Sequence, residues 1–218
     1  GNAIETTYAG AISGGNGSAL VKQGIDTFTL SGASSFTGTT TVNAGTLAVS
    51  GSLVSPTLQV NNGGTLSLLG PQVLAPTASM AVANGGTTRL AGAQSLGDLA
   101  LSGTLTGSGT LTAPNYALVG GNTTADARLG AGTLTSIGNS TLAGSSDAGT
   151  VRVDSGRLTL ASSGRLLDTA DVTVAAPGSL TLTGDDLIGN LVLRGLLDGS
   201  GTLAAPTYLL DGGRAVAN

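Results

Sequence analysis

Long-range self-similarity constrains this chain more than any local pattern. Residues 97–121 read GDLALSGTLTGSGTLTAPNYALVGG and residues 189–213 read GNLVLRGLLDGSGTLAAPTYLLDGG, with sixteen of the twenty-five positions identical at an offset of 92. Shared composition does not place Pro114 over Pro206 and Tyr116 over Tyr208 in one register. The offset extends backwards, pairing Gly64, Leu66, Leu68, Leu74, Thr77, Ala78 and Val82 with Gly156, Leu158, Leu160, Leu166, Thr169, Ala170 and Val174. Before that the length changes slightly, and Ala44-Gly45-Thr46-Leu47 echoes Ala131-Gly132-Thr133-Leu134. Repetition at such a period signals a stacked array in which each unit buries its apolar face on its neighbour. The expected organisation is one continuous fold over residues 1–218, containing related units of roughly 90 residues at 44–130 and 131–218. Because the second unit runs to Asn218 without a closing segment, the chain is expected to be part of a longer one.

A shorter beat runs inside each unit. Leu58-x-Val60 is followed by Gly63 and Leu66-x-Leu68, Met80-x-Val82 by Gly85 and Leu90, Val151-x-Val153 by Gly156 and Leu158-x-Leu160, and Val172-x-Val174 by Gly178 and Leu180-x-Leu182. Alternation over three to five residues predicts short strands with one buried face, because strand side chains have a period of two. The anchors Val42, Val60, Val82 and Leu101 recur every 18 to 22 residues. A circuit of that length, built from two or three short strands, matches one coil of a parallel β-solenoid. About eleven coils at ~4.8 Å each would form a rod about 50 Å long. Asn16-Gly17, Asn62-Gly63 and Asn84-Gly85 fall between the runs, where positive φ makes a corner. All six prolines also fall between runs, as expected of a residue without an N–H to give a ladder. An Asn-Gly hairpin sandwich shares this punctuation, but it need not keep a fixed beat of about 20 residues.

Composition narrows the chemistry. With 37 Gly, 2 Phe, 3 Tyr and no Trp, the core is expected to consist of Leu, Val, Ile and Ala, and the solvent face of hydroxyls and amides, since only 9% of residues are charged. A net charge of −4 leaves no basic footprint for nucleic acid or anionic lipid. The absence of Cys and His excludes thiol and imidazole catalysis and nearly all zinc or copper sites. Asp185-Asp186 is the only adjacent acid pair, and its expected place is a solvated corner. Asp98, Asp126, Asp147, Asp154, Asp168, Asp171, Asp198 and Asp211 are scattered one or two per coil, although Asp154 and Asp171 could meet between neighbouring coils. Gly103 to Gly109 lacks the Lys-Ser or Lys-Thr of a phosphate loop and is expected to form corners. Lys22, the sole lysine, is expected to be solvated or to staple two coils. Tyr116 and Tyr208 are expected to pack inward or at a coil edge rather than to stack on sugars. The triplets Thr39-x-Thr41, Thr110-x-Thr112 and Thr133-x-Thr135 lack a common interval, which argues against a ranked threonine face for ice. No residue is assigned as catalytic, cofactor-binding or metal-ligating, and no cofactor is expected.

A resemblance adds to this reading. Gly10-Ala-Ile-Ser-Gly-Gly-Asn-Gly-Ser-Ala-Leu20-Val-Lys22-Gln-Gly24, then Thr27-Phe-Thr-Leu30-Ser-Gly32, Phe36-Thr-Gly38-Thr-Thr-Thr-Val42 and Ala44-Gly45-Thr46-Leu47, resemble the autotransporter-associated β-strand repeat of bacterial passenger domains over residues 10–50. The later units, with Leu-Gly-Ala-Gly-Thr-Leu at 129–134 and the Ala-Pro-x-Tyr-x-Leu segment, resemble repeats of large secreted Gram-negative adhesins. The resemblance implies a right-handed parallel β-helix, extracellular on the bacterial surface or secreted, and exported through an outer-membrane translocator barrel outside this stretch. It implies a structural, non-enzymatic stalk contributing to adhesion, aggregation or biofilm growth and to passenger folding. The implied partners are host-cell or bacterial surfaces, or further copies of itself, and not nucleic acid. The alternative functions are a polysaccharide-acting β-helix enzyme, which would need a charged groove, and an ice-binding solenoid, which would need ranked threonines.

Overall fold

The computed structural model describes residues 5–15 and 17–217. They form short strands joined by turns, with no helix among them, and every ladder pairing is parallel. One sheet has twelve strands, from Glu5–Tyr8 to Arg214–Ala217, and a second has eleven, from Leu20–Lys22 to Thr207–Leu210. Successive strands along the chain alternate between these sheets, so each circuit stacks on the circuit before it. The architecture is a parallel β-solenoid of about eleven coils.

The inward column of the second sheet shows how the beat becomes a stack. Lys22, Val42, Val60, Val82, Leu101, Leu118, Ser136, Val153, Val174, Leu193 and Leu210 stand in continuous register. Val60 to Val82 spans 22 residues, as expected, but Leu101 to Leu118 spans only 17, one fewer than the shortest expected coil. The strand lengths barely change, so the difference lies in the third corner. There a short ladder joins Gln94–Ser95, Thr110–Thr112, Arg128–Leu129 and Ser145–Ser146, and a separate pair joins Asp186–Leu187 to Leu203–Ala204. The two long coils, around 69–78 and 161–170, bulge at this corner, so that no strand pairing joins either to the coil above it, although Leu74 still bridges Leu53 below and single backbone bonds run from Gln72 N to Ala93 O and from Gly164 N to Asp185 O.

Alternation determines burial within each strand. Leu58 and Val60 are buried while Gln59 between them is exposed, and the same holds for Val151 and Val153 around Arg152. The resulting core is a column of Leu and Val that also holds Phe36, Met80 and Tyr116. It is not purely aliphatic. Ser136 lies between Leu118 and Val153, and Thr123 between Leu105 and Leu142. Backbone donors reach two of these inward hydroxyls: Gly144 N donates to Thr123 Oγ1 at 3.0 Å, and Gly120 N to Ser140 Oγ at 3.1 Å.

The corners follow the expected chemistry. Gly17, Gly63 and Gly85 have φ of +85°, +81° and +77°; Asn16 of the first pair lies outside the described residues. All six prolines sit outside strands. Gly103 and Gly107 bracket the strand Thr104–Thr106, and a Cβ on Gly107 would fall on Leu90 O of the coil below. The Ala-Gly-Thr-Leu echo, by contrast, does not carry position: Gly45–Val49 belongs to the twelve-stranded sheet and Thr133–Ser136 to the eleven-stranded one.

Candidate functional site

Residues 20–49 form a self-pairing element. Leu20–Lys22 pairs with Thr40–Val42 on one sheet, and Thr27–Leu30 pairs with Gly45–Val49 on the other, so this stretch contains two stacked coils. Lys22 joins them. Only 8% exposed, it occupies an inward position below Val42, and its Nζ donates to the carbonyls of Gln23 at 3.0 Å, Gly24 at 2.7 Å and Ala44 at 3.1 Å. Of the two roles open to the sole lysine, the structure assigns the staple. An ammonium can sit at this depth because all three of its protons meet carbonyl oxygen.

The two recurrent tyrosines do the same job in the two units. Ala113 N donates to Tyr116 Oη at 2.8 Å, and Oη shares its proton among Leu111 O at 3.1 Å, Gly130 O at 3.1 Å and Ala131 O at 3.2 Å. The last two carbonyls belong to the next coil. Burial pushes the Tyr116 phenol above its ordinary pKa, and the hydrogen bond from Ala113 opposes this. Tyr208 reproduces the local half of the arrangement, accepting from Ala205 N at 2.7 Å and donating to Leu203 O at 2.9 Å. It is 49% exposed against 1% for Tyr116, because no further sheet strand lies over its own among the described residues. Tyr116 is buried too deeply to stack on a sugar, and the hydroxyls of both tyrosines are engaged by backbone groups.

The Asp185-Asp186 corner corrects the expectation of a solvated pair. Asp185 is exposed and accepts from Thr202 N at 2.8 Å, but Asp186 is only 4% exposed. Its carboxylate accepts from Arg165 N at 2.7 Å and from Leu166 N at 3.3 Å. Burial raises its pKa, against the pull of these N–H groups and of Arg165.

Four of the scattered acids find partners across coils. Arg128 grips Asp147 with Nη2 at 2.6 Å and Nε at 3.0 Å, and Arg194 Nε meets Asp211 at 2.8 Å. Asn115 donates to Asp98 at 2.9 Å and Asn190 to Asp171 at 2.6 Å. Asp154 and Asp171 are not stacked: Asp171 is in register with Thr150 and Asn190, while Asp154 follows its strand and pairs with Arg152 at 3.0 Å. Among the described residues no three acidic side chains are arranged to hold a metal ion.

The register reveals a feature that the triplets concealed. Thr133-x-Thr135 lies on the second sheet and Thr110-x-Thr112 at the third corner, so they form no common rank. On the outer face of the twelve-stranded sheet, however, Thr27, Thr46, Thr65, Thr87, Thr104, Asn122, Thr141, Thr159 and Thr181 follow one another coil by coil. Eight of nine positions are threonine. Their sequence intervals vary from 17 to 22, so no fixed period exposed the column. A local signal existed only in the first coils, where the threonine precedes the first inward large apolar residue of its strand, as in Gly-Thr-Leu at 45–47 and 64–66; Thr141, Thr159 and Thr181 instead follow the inward Ser140, Leu158 and Leu180.

No curated protein and no solved structure matches the chain. Residues 20–49 match the family model of the passenger-associated-transport-repeat, and these are the residues that form the stapled two-coil element. A repeat of that family implies a secreted or surface-exposed protein. Carrying this repeat within a parallel β-solenoid, the chain fits a fragment of the repeat region of an autotransporter passenger.

Proposed function

We propose that this chain is an architectural stretch of an adhesin passenger: a stiff, acidic, hydroxyl-covered stalk that holds adhesive regions away from a Gram-negative cell surface and supports aggregation or biofilm growth. The observation that carries this is the unbroken parallel ladder from Glu5 to Ala217, along which Asp98, Asp147, Asp171 and Asp211 are each held by a partner on a neighbouring coil. Each coil offers the next a complete edge of backbone donors and acceptors, so the column can close in chain order as it emerges during export. Its partners are host-cell or bacterial surfaces at the far end of the stalk, with a translocator barrel elsewhere in the protein. Structure, not catalysis, is its contribution.

Deleting residues 64–155 from the parent protein tests the reading. The cut joins Gly63 to Gly156 in phase, since Gly64 and Arg157 both begin strands of the twelve-stranded sheet, and it removes five coils, about 24 Å. Cells displaying the shortened protein should adhere less well under flow while the soluble protein keeps its affinity for the surface ligand. A fall in that affinity would assign recognition to the deleted coils and end the stalk reading.

The threonine column favours a second reading. A sheet face presenting a threonine methyl and hydroxyl on eight of nine successive coils, at the ~4.8 Å coil spacing, offers ordered positions to a water lattice. The flanking column contains Thr29, Thr106 and a Thr124 that donates to Thr106 Oγ1 at 3.1 Å, with Arg89 as the one charge in that run and with Ala48 and Ser67 buried. On this reading the chain gives thermal hysteresis that Thr104→Lys, at mid-column, abolishes. A freezing point that the chain leaves unmoved at millimolar concentration would dispose of it.

A further inference from the structure

The third corner is interrupted at the two bulging coils, and in each case the following coil mends it with a side chain. In the first unit Gln94 Oε1 accepts from Val73 N at 3.1 Å and Leu74 N at 3.4 Å, and Gln94 Nε2 donates to Gly70 O at 2.6 Å. In the second unit, 92 residues on, Asp186 accepts from Arg165 N and Leu166 N, the equivalents of Val73 and Leu74. Both side chains are buried, Gln94 at 1% and Asp186 at 4% exposure. They replace the same missing rungs with different chemistry. The amide accepts and donates whatever the pH, whereas an ionised carboxylate only accepts.

We propose that Asp186 makes the corner at 161–170 acid-responsive, tight when its carboxyl is protonated and looser when it is ionised, while the Gln94 corner at 69–78 is indifferent to pH. The neutral acid no longer holds a charge out of water at a position only 4% exposed, a cost that outweighs the support the carboxylate draws from the N–H groups of Arg165 and Leu166. The charged surroundings do not remove this effect. Arg165, on the bulge, directs its guanidinium to Ser163 O at 3.0 Å and Ala143 O at 2.6 Å rather than to the Asp186 carboxylate, and its charge opposes the effect of burial without overcoming it. Asp168 and Asp185 line the same cleft of about 490 Å³ and add negative charge. The strand above, Leu203–Ala204, and the strand below, Ser145–Ser146, contribute no charge; Asp147 beyond the latter is held by Arg128.

The sign follows from linkage. Burial holds the folded carboxyl above its ordinary value, so the folded corner binds a proton more readily than the unfolded chain does. Its contribution to stability is therefore complete below the unfolded value, about 3.9, and is lost as the pH rises through the folded one. What opens is the loop over the cleft, and the ladders of the two large sheets are left in place. This inference is independent of whether the chain serves as a stalk.

Native-state hydrogen exchange of the whole chain between pH 4 and pH 7.5, corrected for intrinsic rates, tests it. The amides of Arg165 and Leu166 should lose protection as pH rises, about tenfold for each unit by which the carboxyl is displaced, while those of Val73 and Leu74 stay level. Asp186→Gln should flatten the response at 165–166. Gln94→Glu should create one at 73–74, which keeps the test open if the first variant folds poorly. Equal behaviour of the two corners in the unmodified chain, or a slope that survives Asp186→Gln in a folded variant, would overturn the proposal.

Discussion

Leu134→Asp should split the column. Leu134 is wholly buried and stands in register between Tyr116 on one coil and Val151 on the next, so a carboxylate there would meet only aliphatic and aromatic neighbours. With no partner in reach, the burial cost exceeds about 4 kcal/mol, enough to displace the side chain and open the coils that carry it. In a stacked array the damage spreads only to adjacent coils, because each interacts with its nearest neighbours alone. Guanidinium unfolding followed by far-UV circular dichroism should change from one transition to two, with the early one confined to the middle of the chain by hydrogen exchange. A single transition displaced by less than about 1 kcal/mol would show that the core tolerates charge and that the aliphatic column is not what holds the coils together.

Tyr116→Ala is the second large effect. The substitution empties the space of one of the largest fully buried side chains and strands the Ala113 N–H, for a combined cost of about 4–6 kcal/mol from cavity and lost hydrogen bond. Tyr116→Phe isolates the hydroxyl and should cost about 1–3 kcal/mol, since Ala113 N and the carbonyls of Leu111, Gly130 and Ala131 lose their shared partner. Tyr208→Phe removes the same local bonds where water can replace them and should cost under about 1 kcal/mol. The contrast is read from denaturant midpoints of the three variants. Equal costs at 116 and 208 would mean that the bonds to the next coil contribute nothing.

Much of this was visible before any coordinates. The 92-residue offset, the alternating pairs and the anchors Val42, Val60, Val82 and Leu101 led to a coil of the right length, because parallel stacking demands the same inward residue at the same place in every circuit. Two features were not visible. Asp186 reads as an ordinary turn acid, and only the bulge at 161–170 gives it buried N–H groups to satisfy. The threonine rank disappears into coils of unequal length, which add or drop residues at the third corner without disturbing the sheets.

What the sequence alone determined was the architecture: side-chain period, corner residues and long repeat each report on a local choice of the backbone, and local choices summed over eleven coils admit one stack. What only the tertiary structure decided was proximity between coils. It turned a lone lysine into a staple, an acid pair into one buried and one exposed group, and scattered threonines into a column. Those outcomes depend on register, and register is set by how many residues each corner absorbs, a quantity that no single coil's sequence displays.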